Sequence, residues 1–249
     1  MPFNLNLQNE KYLAFIAAVL YLMWFADVFL KLAKGKIYGF FLFCSLSLLI
    51  TCIVIINKNP TLLLVFLSAS IITQSIWMTD LLVYVFLKKS IFNTVGYIFL
   101  LDYSKIEVIT TIRHFFIIPL ELFAFVFMKK LPKNFKKFVL YVSLSVLGFL
   151  IPSLFLGAKN NINYVYAPPF EVSAFLNIGV VYFFAYVFFL IISISLVGAL
   201  ILFLVKKYKK LFNYQKVKIY FWIVLILVFL LALKVSLVIL KIKKDVPLF

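Results

Sequence analysis

Residues 61–87 read TLLLVFLSASIITQSIWMTDLLVYVFL. One formal charge, Asp80, interrupts the run, and Lys88 and Lys89 close it. As an α-helix this stretch is about 40 Å long, more than the roughly 30 Å of hydrocarbon in a bilayer. No water reaches a backbone at that depth, so each amide must be paired within its own segment, and a helix does this. The stretch sets the expected fold class: an all-α, polytopic integral membrane protein, provided that its neighbours repeat the pattern.

They do. Spans are expected at approximately 12–30, 37–56, 61–87, 106–128, 138–156, 172–205 and 219–240, about seven transmembrane helices in one bundle. Asn57-Lys58-Asn59-Pro60 separates the second from the third with turn formers and a helix breaker. The stretch 90–104, broken by Asn93 and Gly96, is too short to cross and too apolar for an ordinary loop. An interfacial or re-entrant helix is expected there. The composition agrees with this class, being 66% hydrophobic and 13% charged with a mean hydropathy of +1.15. A soluble domain is about a quarter charged. Without a basic leader in MPFNLNLQNE or a small-residue cleavage pattern, the first helix is expected to be retained. The chain reads as a single transmembrane domain over 1–249.

The formal charge of +17 does not indicate nucleic acid, because the lysines sit in connectors, where they anchor helix ends against lipid head groups. They also orient the chain. Connector 129–137 holds Lys129, Lys130, Lys133, Lys136 and Lys137, and connector 206–218 holds six more lysines. Loop 157–171 holds only Lys159. The positive-inside rule places both connectors in the cytoplasm of a multi-pass cell-membrane protein and the loop outside. Seven crossings then put the carboxyl terminus outside, against the sense of Lys241, Lys243 and Lys244.

Ionisable residues inside the spans are the functional lead, since each costs several kcal/mol unless paired or hydrated. Asp80 shares a helical face with Thr73, Trp77 and Tyr84. The fourth span carries Glu107, Thr111, His114 and Glu121 in a stripe, with Arg113 beside it. His114 is the chain's one histidine and Arg113 its one arginine. Pro119, five residues on, opens the helix's hydrogen bonding. Facing spans would let Asp80 pair with Arg113 or orient His114, the usual arrangement around a general base. Such a cluster equally serves as a structural tie between helices. Cys44 and Cys52, about 12 Å apart along one helix, cannot form a disulfide with each other; they read as packing residues or, for Cys44, a thiol nucleophile. Asp27 reads as an i, i+4 partner of Lys31, and Lys234 as a snorkelling lysine. Neither a Gly-rich phosphate loop nor a G-x-S-x-G elbow is present, and one histidine gives no metal spacing, so no cofactor or metal is expected.

Trp77-x-x-Asp80, Tyr97 with Asp102, Arg113-His114 with Pro119, and Asn161-Ile162-Asn163-Tyr164-Val165-Tyr166 together resemble a group of prokaryotic polytopic membrane proteins with a W-x-x-D helix, an F-H-x-x-x-P-type helix and an N-I-N-[WY]-V loop. The match spans roughly residues 60–200. It departs where Arg113 precedes the histidine and where Pro119 lies one position late. That group has no assigned activity, so the resemblance implies a shared site and names no reaction. A weaker likeness connects Cys44-Ser45 and His114 to membrane lipid hydrolases with a threonine–histidine pair, although Thr51 stands two turns from the matching place.

Three classes follow. An intramembrane enzyme on a lipid or other apolar substrate would use His114 as base, Asp80 or Glu121 as orienting acid and Cys44 or Ser45 as nucleophile. A transporter or channel would line a path with Asp80, Arg113, His114 and Glu121. A scaffold would use the same residues only to hold helices. The bilayer is the expected partner in every case.

Overall fold

The computed structural model describes residues 5–35, 42–87, 89–92, 94–95, 98, 106, 108, 111, 113–128, 130–155, 179–207 and 214–245. Among them are seven α-helices and no strand: α1 (Leu5–Ala33), α2 (Phe43–Ile56), α3 (Pro60–Leu87), α4 (Arg113–Phe127), α5 (Phe135–Phe155), α6 (Gly179–Lys207) and α7 (Tyr214–Asp245). Glu107, Tyr97, Asp102, loop 157–171 and the first residues of the expected sixth span lie outside the described residues. Five helical segments are long and apolar enough to cross a membrane: Asn9–Ala33, Pro60–Leu87, Phe135–Phe155, Val181–Lys207 and Lys216–Lys241. The other two, α2 and α4, are shorter, at 14 and 15 residues. Helix α4 is preceded by helical backbone at Ile106, Val108 and Thr111.

Local chemistry explains the helix ends. At the foot of α2 the backbone N–H of Lys58 donates to the Ile55 carbonyl and that of Asn59 to the Val54 carbonyl, with Lys58 at φ 50°. This is a Schellman closure with lysine in the left-handed position usually given to glycine. Asn59 then starts α3: its Oδ1 accepts from the amides of Thr61 and Leu62, and Pro60 takes the first helical position, where its missing N–H costs nothing. Asn134 caps α5 in the same way, through the amide of Lys137.

Helix α3 packs on α2, α4, α5 and α6, while α4 packs on α1, α2, α3 and α7. At one end of the bundle Tyr12 stacks on Phe127, and Tyr12, Phe123 and Phe127 meet Phe221 edge to face, tying the start of α1 and the end of α4 to the start of α7. At the other end Trp77, Leu81, Val95 and Phe115 bury Ala232, Val235 and Ile239 from the far part of α7. The outer surface is as apolar as the core: Phe86 is 78% and Phe155 84% exposed. A surface of that kind suits lipid and not water.

Candidate functional site

Buried polar side chains of α1, α2, α3 and α4 centre four arrangements. The first centres on Asp27, in the last third of α1. Its Oδ2 accepts from Lys31 Nζ at 2.7 Å and from Ser45 Oγ at 2.7 Å, and its Oδ1 accepts from Arg113 at 2.5 Å. Lys31 also donates to Ser45. The expected local pair with Lys31 is therefore present, but it is one side of a knot joining three helices. Arg113 is 86 residues away in sequence, and no local pattern announces it.

The second is the Asp80 carboxylate. Its oxygens accept from the amides of Ile91, Phe92, Thr94 and Val95 and from the hydroxyls of Ser90 and Thr94, at 2.7 to 3.2 Å. Four backbone N–H groups converging on one carboxylate make an anion nest closed by the protein's own side chain. Ser90, Ile91, Phe92, Thr94 and Val95 bend around Asp80, and the rest of the expected interfacial or re-entrant helix over 90–104, Ile98 apart, lies outside the described residues. Asp80 thus neither pairs with Arg113 nor orients His114, as the sequence suggested. Its donors come from the chain that follows α3, and they turn that chain back over the bundle.

The third holds His114, which is 4% exposed. Its Nδ1 lies 2.5 Å from Gln74 Oε1, and its ring stacks on Trp77 with centroids 4.4 Å apart and planes 19° from parallel. Gln74 turns its amide nitrogen to Thr73 Oγ1 at 3.5 Å, while that hydroxyl donates to the Ala69 carbonyl. The amide oxygen therefore faces the ring, and Nδ1 carries the proton it accepts. Nε2 is left with its lone pair and has no hydrogen-bond partner among the described residues.

The fourth surrounds Glu121, which is wholly buried on α4. Thr51 Oγ1, from α2, donates to its Oε1 at 3.0 Å. Ser70 of α3 lies beside the same carboxyl. Seven residues separate His114 from Glu121, about 10 Å of helix rise, so Glu121 does not hold the imidazole directly. Cys44 is a half-buried free thiol with no side-chain hydrogen bond among the described residues; Cys52 is also free and lies in the core. Exposed on the outer face of α7, Lys234 fits a snorkelling lysine.

The structure therefore places Arg113, His114 and Glu121 at successive heights of α4, each attached to a different helix, and moves Asp80 out of the group. Gln74, Ser70 and the full partnership of Asp27 were not anticipated. Gln74 had a signal: it is the sole amide in the third span and lies three residues before Trp77 on the same face. No group of three or more His, Cys, Asp or Glu side chains suited to a metal occurs among the described residues. Comparison with protein-family models, with curated proteins and with solved structures returns no match.

Proposed function

We propose that the protein is an intramembrane enzyme that acts on a lipid or other apolar substrate, with His114 as its base. The observation that carries this reading is the held imidazole. Gln74 fixes the protonated nitrogen and Trp77 fixes the ring plane, so Nε2 is left as a positioned acceptor. Arg113, adjacent in sequence and locked by Asp27, adds a buried positive charge at the same level of α4, which would stabilise negative charge developing on a substrate. Cys44 and Ser45 open α2 on the same side of the bundle. Of the two, Ser45 is engaged by Asp27 and Lys31, which makes Cys44 the freer nucleophile.

In this reading all seven helices cross the bilayer. Two contacts support alternation: Tyr12 meets Phe221 near the starts of α1 and α7, and Phe43, at the start of α2, meets Phe149 in the later part of α5. The lysine connectors 129–137 and 206–218 then share the cytoplasmic side, and the base lies towards the opposite side. Lys31, Lys34, Lys36, Lys88 and Lys89, with Lys241, Lys243 and Lys244, then fall on the outer side as exceptions to the charge rule.

The test is comparative lipidomics on cells expressing wild type or His114→Ala at matched membrane abundance. A lipid species altered by wild type and not by the variant is the expected result, and it names the substrate class. Identical lipid profiles at equal abundance would remove the enzyme reading.

A further inference from the structure

The Glu121 group plays no part in that chemistry, and its construction points elsewhere. Three helices each send one oxygen-bearing side chain to the same buried point: Thr51 from α2, Ser70 from α3 and Glu121 from α4, all with 0% exposure. Hydroxyls in membrane helices commonly satisfy themselves on the carbonyl four residues back. Ser68 does this on Leu64, Ser143 on Val139 and Ser153 on Phe149. Ser70 does not. Its hydroxyl is turned to the Glu121 carboxyl, yet among the described residues neither Ser70 Oγ nor Glu121 Oε2 completes a hydrogen bond of full geometry. Thr51 likewise turns from its own helix to Glu121 Oε1, which fixes the rotation of the carboxylate and aims the other oxygen.

We propose that Glu121, Ser70 and Thr51 form a binding site for a small monovalent cation of sodium's class. The oxygen-only donor set is the one hard cations take. Its single carboxylate matches a single positive charge, so that a loaded site is neutral within the apolar core. Pro119, two residues before Glu121, interrupts the hydrogen-bond ladder of α4, as in helices that line ion sites in membrane proteins. No lysine or arginine is hydrogen-bonded to the Glu121 carboxyl among the described residues, so an ionised Glu121 calls for a bound counter-charge. The inference goes beyond the enzyme reading and does not rest on it.

The experiment uses the full chain, purified in one detergent, and follows thermal unfolding as sodium chloride replaces choline chloride at constant ionic strength. The expected result is a saturable rise in the Tm of wild type by about 3 °C or more as sodium fills the site. Glu121→Gln removes the rise. Ser70→Ala and Thr51→Val move its midpoint to about tenfold higher sodium or beyond, and Ser68→Ala leaves it in place. If Glu121→Gln does not fold, the Ser70→Ala midpoint decides the matter. Absence of a sodium-specific rise in wild type overturns the proposal, as does the same rise in Glu121→Gln or an unmoved midpoint in Ser70→Ala. A Tm that follows proton concentration and ignores sodium also overturns it, identifying a protonated carboxyl.

Discussion

Replacing Gly198 by alanine should destabilise the protein, while the same change at Gly148 should stabilise it. Both glycines lie inside helices, α6 and α5 respectively, so the intrinsic preference for alanine, about 1 kcal/mol, is common to the two. Their surroundings differ. A Cβ at Gly148 meets nothing within 4 Å, whereas one at Gly198 would stand 2.2 Å from Cζ of Phe138 and 2.8 and 3.1 Å from its two Cε atoms. Ordinary contact begins at 3.4 Å, so the ring would have to retreat by about 1.2 Å. Phe138 is wholly buried and packs against Phe135, which leaves it little room to turn. Overpacking of this kind costs about 1–3 kcal/mol. Set against the helix gain, Gly198→Ala should lose about 1 kcal/mol and Gly148→Ala should gain up to about 1 kcal/mol.

The assay is thermal or denaturant unfolding of both variants in a single detergent, and the informative quantity is the difference between them, from which helix propensity cancels. A Phe138→Leu background removes the obstructing ring, and there Gly198→Ala should change sign, with a coupling of about 1–2 kcal/mol. Equal stability of the two alanine variants, or no coupling with Phe138→Leu, would refute the close approach of α5 and α6 at this point. Small residues are how membrane helices come close, and Gly198 is where this pair does so.

Asp80→Asn puts an amide where six donors converge, and should cost about 3 kcal/mol and open the 89–95 segment to limited proteolysis while Phe135–Phe155 stays resistant. Asp27→Asn removes the carboxylate that Lys31 and Arg113 share, and a loss of about 3 kcal/mol is expected; Asp27→Asn with Arg113→Gln should lose less than the sum of the single variants in a double-mutant cycle. Gln74→Leu should lower His114-dependent product formation on the order of tenfold with little change in Tm, since the ring stays stacked on Trp77 but loses its tautomer partner; this is measured by initial rates at matched protein. Asn59→Ala should cost about 1 kcal/mol by uncapping α3, read from the Tm.

The helical class was legible because hydropathy reports the medium, and the medium decides the element. Helices α1, α3, α5 and α7 cover the stretches expected for them. The same physics hides which face of each helix points inward. Lipid is as apolar as a packed core, so Phe155, 84% exposed, and Phe138, fully buried, look alike along α5. Polar residues alone mark the inner faces, and their partners depend on the rotation and depth of helices far apart in sequence. That is why Asp80 looked like a partner for Arg113. Its donors are mostly backbone amides, which every residue carries and no composition reveals. The Asp27–Lys31 pair was visible because it is local, and the Arg113 contact was not because it spans the bundle.

The polar residues of α4 have one feature that bears on whether the cluster is chemical or merely structural. Arg113 is tied to α1 through Asp27, His114 to α3 through Gln74, and Glu121 to α2 through Thr51. Three ties at three heights fix the rotation and depth of a helix that apolar packing would leave free to slide. One polar tie across membrane helices is worth little, about 0.6 kcal/mol on average, so registering α4 requires nothing as elaborate as a histidine stacked on tryptophan. Two amides facing each other would do as much. A purely structural role predicts that the three ties are interchangeable, with similar small losses of stability and no separate loss of product. His114 breaks that equivalence in the enzyme reading, because its Nε2, without a hydrogen-bond partner among the described residues, is the atom assigned to take the proton. A variant that keeps the tie and removes this nitrogen, His114→Asn, should retain the Tm of wild type and still abolish product. A variant that keeps both would leave the histidine as one more fastening.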